Sequence, residues 1–131
     1  MRTAVDILLI EDSPSQALYF QLLLQRAGFS VQTASDGVQG FWSACADAPR
    51  MILLDVDLPQ FNGFQVLSHL KHHRATSHIP VVLLTDRDRI NDVELALELG
   101  ADGYLPKHEA TQQLGAVVDQ FVGAQVHAMA C

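Results

Sequence analysis

Short runs of uninterrupted apolar residues recur along this chain, ILLI at 7–10, MILL at 51–54 and VVLL at 81–84, and longer amphipathic segments separate them. A strand with one solvated face alternates apolar and polar side chains, so runs without alternation suit strands covered on both sides. Such coverage belongs to parallel sheets whose crossover helices lie on both faces. No other feature narrows the fold so far.

The intervening segments have helical character. SPSQALYFQLLLQRAG at 13–28 offers Ser13 as N-cap, Pro14 at the first helical position, Gln16 to complete a capping box and Gly28 at C′. FSVQTA at 29–34 alternates like a half-buried strand, and DGVQGFWSACADAP at 36–49 predicts a helix ended by Pro49. After MILLD at 51–55, GFQVLSHLKHH at 63–73 sets Phe64, Val66, Leu67 and Leu70 on one face. PVVLLT at 80–85 starts with a proline where a missing N–H is tolerated, and NDVELALELG at 91–100 predicts a helix closed by Gly100. In that helix Val93, Ala96, Leu97 and Gly100 share a face, leaving Leu95 and Leu99 off it, either as an apolar patch or as ordinary packing. GYLP at 103–106 is a fifth strand, and EATQQLGAVVDQFVGAQ at 109–125 a last helix with Leu114, Val117, Val118 and Phe121 inward.

Five βα units in series predict an α/β fold, a flavodoxin-like doubly wound (βα)5 parallel sheet of strand order 2-1-3-4-5. Residues 1–125 form one domain in this expectation and 126–131 a short tail. With 49% hydrophobic and 18% charged residues among 131, the composition is that of a folded domain. The net charge is −7 and the cations do not cluster, which argues against direct nucleic-acid binding by this chain. No apolar run approaches the ~20 residues that cross a bilayer, and the start has no secretory cleavage pattern. Two cysteines, Cys45 and Cys131, give no disulfide framework, so a cytoplasmic location is expected. His69, His72 and His73 lie off the apolar face of their helix, with His78 nearby, and are read as solvated rather than as zinc ligands.

In sheets of this order ligands bind beyond the carboxyl ends of the strands. Glu11 and Asp12 follow the first strand, Asp55 ends the third, Thr85 ends the fourth and Lys107 follows the fifth. All five thus meet on one rim. Clustered carboxylates raise one another's pKa unless a cation lies between them, and a hard divalent ion such as Mg²⁺ suits such oxygens. No Gly-x4-Gly-Lys loop is present, so bound ATP is not the expected phosphodonor, and a carboxylate is the candidate nucleophile. Singly, each residue has a plainer explanation: a helix cap for Glu11 and Asp12, a strand end for Thr85, a solvated Lys107, a half-buried aromatic for Tyr104. Their joint placement favours function.

The residues ED after the first strand, LLDVDLPQFNG around the third, LLT at the end of the fourth and GADGYLPK through the fifth resemble the receiver domain of two-component response regulators. The resemblance covers nearly the whole chain, and the order 2-1-3-4-5 is the family's own. It implies that Asp55 accepts a phosphoryl group from a histidine-kinase phosphohistidine to give an aspartyl phosphate, a reaction the domain itself catalyses. It implies Mg²⁺, or Mn²⁺ in its place, held by Asp12, Asp55 and the backbone carbonyl of Asp57, with Glu11 acting through a metal-bound water. Thr85 and Lys107 would hold phosphoryl oxygens, and Thr85 and Tyr104 would form the switch. The implied partners are a cognate histidine kinase or phosphotransfer protein and an effector docking on the 91–125 face. The implied state is a monomer or weak dimer away from membranes.

Three positions depart from the family pattern: Asp86 where a small residue is usual, His108 where proline is usual, and Asp57, which could pair with Arg87 to gate hydrolytic water. They keep open a pseudo-receiver that only binds proteins. The Asp-x-Asp of Asp55 and Asp57 also suits a haloacid-dehalogenase-type phosphatase, although there the pair normally follows the first strand.

Overall fold

The computed structural model describes residues 5–86 and 90–123. In chain order the elements are β1 (Ile7–Ile10), α1 (Pro14–Arg26), β2 (Val31–Ala34), α2 (Gly37–Asp47), β3 (Met51–Asp55), α3 (Gly63–His72), β4 (Val81–Thr85), α4 (Ile90–Glu98), β5 (Gly103–Pro106) and α5 (Ala110–Val118). The five strands are parallel, in the order β2-β1-β3-β4-β5.

Alternate residues of each central strand feed two separate cores. Leu8, Ile10, Ile52, Leu54, Val81 and Leu83 pack with Phe64, Val66, Leu67 and Leu70 of α3, Ala44 of α2 and Ala96 of α4. Ile7, Leu9, Met51, Leu53, Val82 and Leu84 pack with Phe20 and Leu24 of α1 and Ala110, Leu114 and Val118 of α5. Both faces of β1, β3 and β4 are therefore dry, which is why their sequences do not alternate.

Local chemistry sets the helix ends. Ser13 caps α1 and Gly28, at φ +97°, follows its C-terminus. The expected capping box at Gln16 does not form: Ser13 N–H donates to Glu11 Oε1 at 3.2 Å, and the Gln16 side chain turns to Lys107. The full capping box stands instead at α3, where Asn62 and Gln65 exchange hydrogen bonds of 2.9 and 3.0 Å. Gly63 leaves α3 room to start: a Cβ there would lie 2.4 Å from the Asp55 carbonyl oxygen.

Two expectations need correction. Leu97 is 66% exposed and Leu99 is the residue packed against the core, so Leu95 and Leu97, not Leu95 and Leu99, face outward on α4. Inward burial of α4 centres on Ala96 and reaches Leu99 three residues on, which turns Leu97 away. The last helical segment is also composite, a 3-10 turn at Lys107–Glu109 and a π turn at Asp119–Gly123 flanking α5. Its expected inward residues hold, with Leu114 and Val118 buried and Val117 and Phe121 half-buried.

Candidate functional site

The parallel register brings strand ends to one edge. Ile10 pairs with Leu54, Asp55 with Leu84 and Thr85 with Pro106, so Glu11, Asp55, Thr85 and Lys107 emerge side by side. Strands buried on both faces carry these polar groups out of the core at their last residue or just past it. Glu11 is 3% exposed, Asp55 1% and Thr85 0%, whereas Asp12 faces solvent.

One ammonium ties the cluster together. Lys107 Nζ lies 3.0 Å from Glu11 Oε2 and 3.3 Å from Asp55 Oδ1, and donates to Gln16 Oε1 at 2.5 Å. Asp57 N–H donates to Asp55 Oδ1 at 3.1 Å, fixing the carboxylate against its own loop. Glu11 Oε2 accepts no hydrogen bond beyond its Coulombic contact with the ammonium.

The electrostatics follow from burial and crowding. Burial, and then the Asp55 carboxylate, push Glu11 up from an ordinary 4.5 to about 7 against the opposing pull of Lys107. Burial disfavours the Lys107 ammonium too, but Glu11 and Asp55 together outweigh it and hold its pKa above the ordinary lysine range. Three carboxylates against one ammonium leave the cluster short of positive charge. Glu11, Asp12 and Asp55 each offer an oxygen, all within 4.8 Å of one another, a donor set suited to a hard divalent cation.

The structure brings together Glu11, Asp12, Asp55 and Lys107, with Thr85 ending the strand beside Asp55. Tyr104 is half-buried on β5, against the core on the α3 side. Asp86 and His108 are exposed, and the described peptide bonds, Lys107–His108 included, are not cis. Arg87 lies outside the described residues, so its pairing with Asp57 does too. Gln16 is the member sequence reasoning assigned elsewhere. Its position four residues after Asp12, in the first turn of a helix leaving the same rim, was the available signal.

A doubly wound sheet with acids and a lysine at its carboxyl rim is the architecture of a signalling receiver. This chain belongs to the response regulator receiver domain family, whose model matches residues 7–119. It is 37% identical over 112 residues to the alkaline phosphatase synthesis transcriptional regulatory protein PhoP of Bacillus subtilis, covering 86% of this chain and 46% of that protein. It is 39% identical over 101 residues to the DNA-binding dual master transcriptional regulator RpaA of Synechocystis, covering 77% and 42%. The chain thus spans less than half the length of these relatives. Among solved structures, the receiver domain of the sensor histidine kinase PA1611 of Pseudomonas aeruginosa, with a magnesium ion coordinated in its active-site cleft, superposes with a TM-score of 0.83. That match has 26% identity and covers 92% of this chain and 99% of that one. The Mn²⁺-bound response regulator Rcp1 matches with a TM-score of 0.74 and 29% identity, over 88% of this chain and 90% of that one. Divalent-metal binding at the acidic rim is in keeping with both.

Proposed function

We propose that Asp55 is the phosphoacceptor of this receiver domain, taking a phosphoryl group from the phosphohistidine of a cognate histidine kinase or phosphotransfer protein. The observation that carries this is a buried carboxylate at a strand end, 3.3 Å from an ammonium and clustered with two further acids. An Asp55 carboxylate oxygen attacks phosphorus, a P–O bond forms, and the P–N bond breaks with its electron pair going to the imidazole. Lys107, steered by Gln16, Glu11 and Asp55, pairs with a phosphoryl oxygen, and the Thr85 hydroxyl donates to another. Asp12, Asp55 and the Asp57 carbonyl would hold Mg²⁺ directly and Glu11 through water. The bound ion supplies positive charge for the phosphoryl oxygens; Mn²⁺ would serve in the same way. Tyr104 and Thr85 would then report the phosphorylated state to an effector docking on the 91–125 face. The setting is cytoplasmic, and the receiver unit is residues 1–125; the tail expected at 126–131 lies outside the described residues.

Incubation with acetyl phosphate and Mg²⁺ followed by intact mass tests this. The expected gain is about 80 Da, absent in Asp55→Asn. No gain in the parent chain would point to a pseudo-receiver. Sustained turnover of a small phosphomonoester would point to the phosphatase chemistry of Asp55 and Asp57. Either outcome overturns the proposal.

A further inference from the structure

Lys107 carries the positive charge of the acidic cluster. A lysine ammonium is a compact charge on a flexible four-carbon stem, so nearby carboxylates attract it without fixing where it points. Three oxygens stand around Nζ: Glu11 Oε2 at 3.0 Å, Asp55 Oδ1 at 3.3 Å and Gln16 Oε1 at 2.5 Å. The shortest of these contacts is the uncharged one. Glu11 follows β1 and Asp55 ends β3, its neighbour in the sheet, whereas Gln16 stands in the first turn of α1. The amide thus supports the ammonium from outside the sheet.

Gln16 gives up a local alternative to reach the lysine. Three residues after a serine N-cap, a glutamine side chain ordinarily turns back to the N-cap N–H. Here that N–H donates to Glu11 Oε1 at 3.2 Å, while Gln16 N–H still donates to the Ser13 hydroxyl at 3.4 Å. Glu11 therefore spans the helix start and the ammonium with its two oxygens, and the glutamine side chain is left for Lys107. An ammonium has donors only, so Gln16 must meet it with the carbonyl oxygen, which sets the orientation of the amide. Side chains that forgo a favourable local contact in this way concentrate at functional sites.

We propose that Gln16 is the positioning residue for Lys107, aiming the ammonium at the phosphoryl group without neutralising it; this rests on Asp55 being the phosphoacceptor. Phosphorylation turns the Asp55 carboxylate into a neutral acyl group, which weakens its hold on Nζ just when the positive charge is needed. Glu11 alone would then draw the ammonium toward β1. The Gln16 carbonyl is untouched by the reaction, so it holds Nζ in place before and after transfer. A carboxylate at position 16 would keep the same contact but set a fourth acid beside Glu11, Asp12 and Asp55, taking up charge that phosphoryl oxygens require.

Gln16→Met keeps the side-chain length and loses the acceptor, whereas Gln16→Glu keeps the acceptor and adds charge. Each full chain is incubated with acetyl phosphate and Mg²⁺, so that a P–O bond to Asp55 forms as the bond to the acetate oxygen breaks, and the mass gain is followed in time. Mg²⁺ binding is measured separately by calorimetry on the unphosphorylated chains. At saturating Mg²⁺ the rate should be about tenfold lower in Gln16→Met, with Mg²⁺ affinity within about twofold of the parent. Gln16→Glu should be slowed by a similar factor and should bind Mg²⁺ more tightly. Methionine and glutamate are good helix formers, so urea midpoints should stay close to the parent's; if Gln16→Met fails to fold, Gln16→Leu takes its place. A parent-like rate in Gln16→Met, or a slowing that high Mg²⁺ reverses, would overturn the positioning role. A parent-like rate in Gln16→Glu would overturn the requirement for a neutral support, and the proposal with it. No mass gain in the parent chain would remove the Asp55 reading and this one together, whereas a labelled parent with indifferent variants removes this one alone.

Discussion

The β3–α3 and β4–α4 units stand side by side and bring neighbouring groups to the rim, but they are anchored very differently. α3 opens in a capping box and buries Phe64, Val66, Leu67 and Leu70. Among the described side chains of α4, Ala96 alone is buried, Leu99 is half-buried, and Leu95 and Leu97 face solvent. Asp55, the proposed phosphoacceptor, precedes the firmly packed helix. Thr85 precedes the lightly packed one, and segments with few buried contacts are those that move at low free-energy cost. The rim thus has a firmly packed side and a lightly packed side.

The contrast can be broken most forcefully from within α3. Leu67→Ala should cost about 2–5 kcal/mol in urea unfolding, since Leu67 is fully buried; a loss under 1 kcal/mol would mean that α3 is no better held than α4. Next in size comes the charge cluster between the units. Glu11 binds its proton near pH 7 when folded and near 4.5 when unfolded, so the folded state carries the extra proton between those values. Stability of the metal-free protein should therefore fall as pH rises through that window, by on the order of 1–3 kcal/mol, and Mg²⁺ affinity should rise through the same window. Glu11→Gln should flatten both trends; unchanged slopes would remove Glu11 from the account. Asn62→Ala, which deletes half of the α3 capping box, should cost about 1 kcal/mol in the same unfolding assay. Smallest of all, Leu97→Ser on α4 should stay within about 0.5 kcal/mol of the parent, and a larger loss would show that α4 is covered after all.

Much of this was legible in the sequence, for a physical reason. Strands buried on both faces cannot hide among alternating patterns, so ILLI, MILL and VVLL marked the layers, while the strand order came with the family resemblance. A charged residue at the end of such a run is out of place in a core, which marked Asp55 and its neighbours. Gln16 and Leu97 were misassigned because each had two local options of similar merit. Gln16 could satisfy its own helix start or reach a lysine 91 positions away, and only the folded rim makes the second available. Leu97 and Leu99 are both apolar on a short helix, and their burial depends on where that helix sits, which periodicity does not encode.

At Gly63 a single missing atom has wide reach. The backbone of α3 begins so close to the Asp55 carbonyl that one methyl group would force the helix and the strand end apart. Lengthening either element or sliding one past the other would meet the same obstacle. The spacing between Asp55 and the start of α3 is therefore set by exclusion rather than attraction. The apolar residues of the two cores can be exchanged for others of similar volume, whereas a side chain at this position would meet backbone rather than a flexible neighbour.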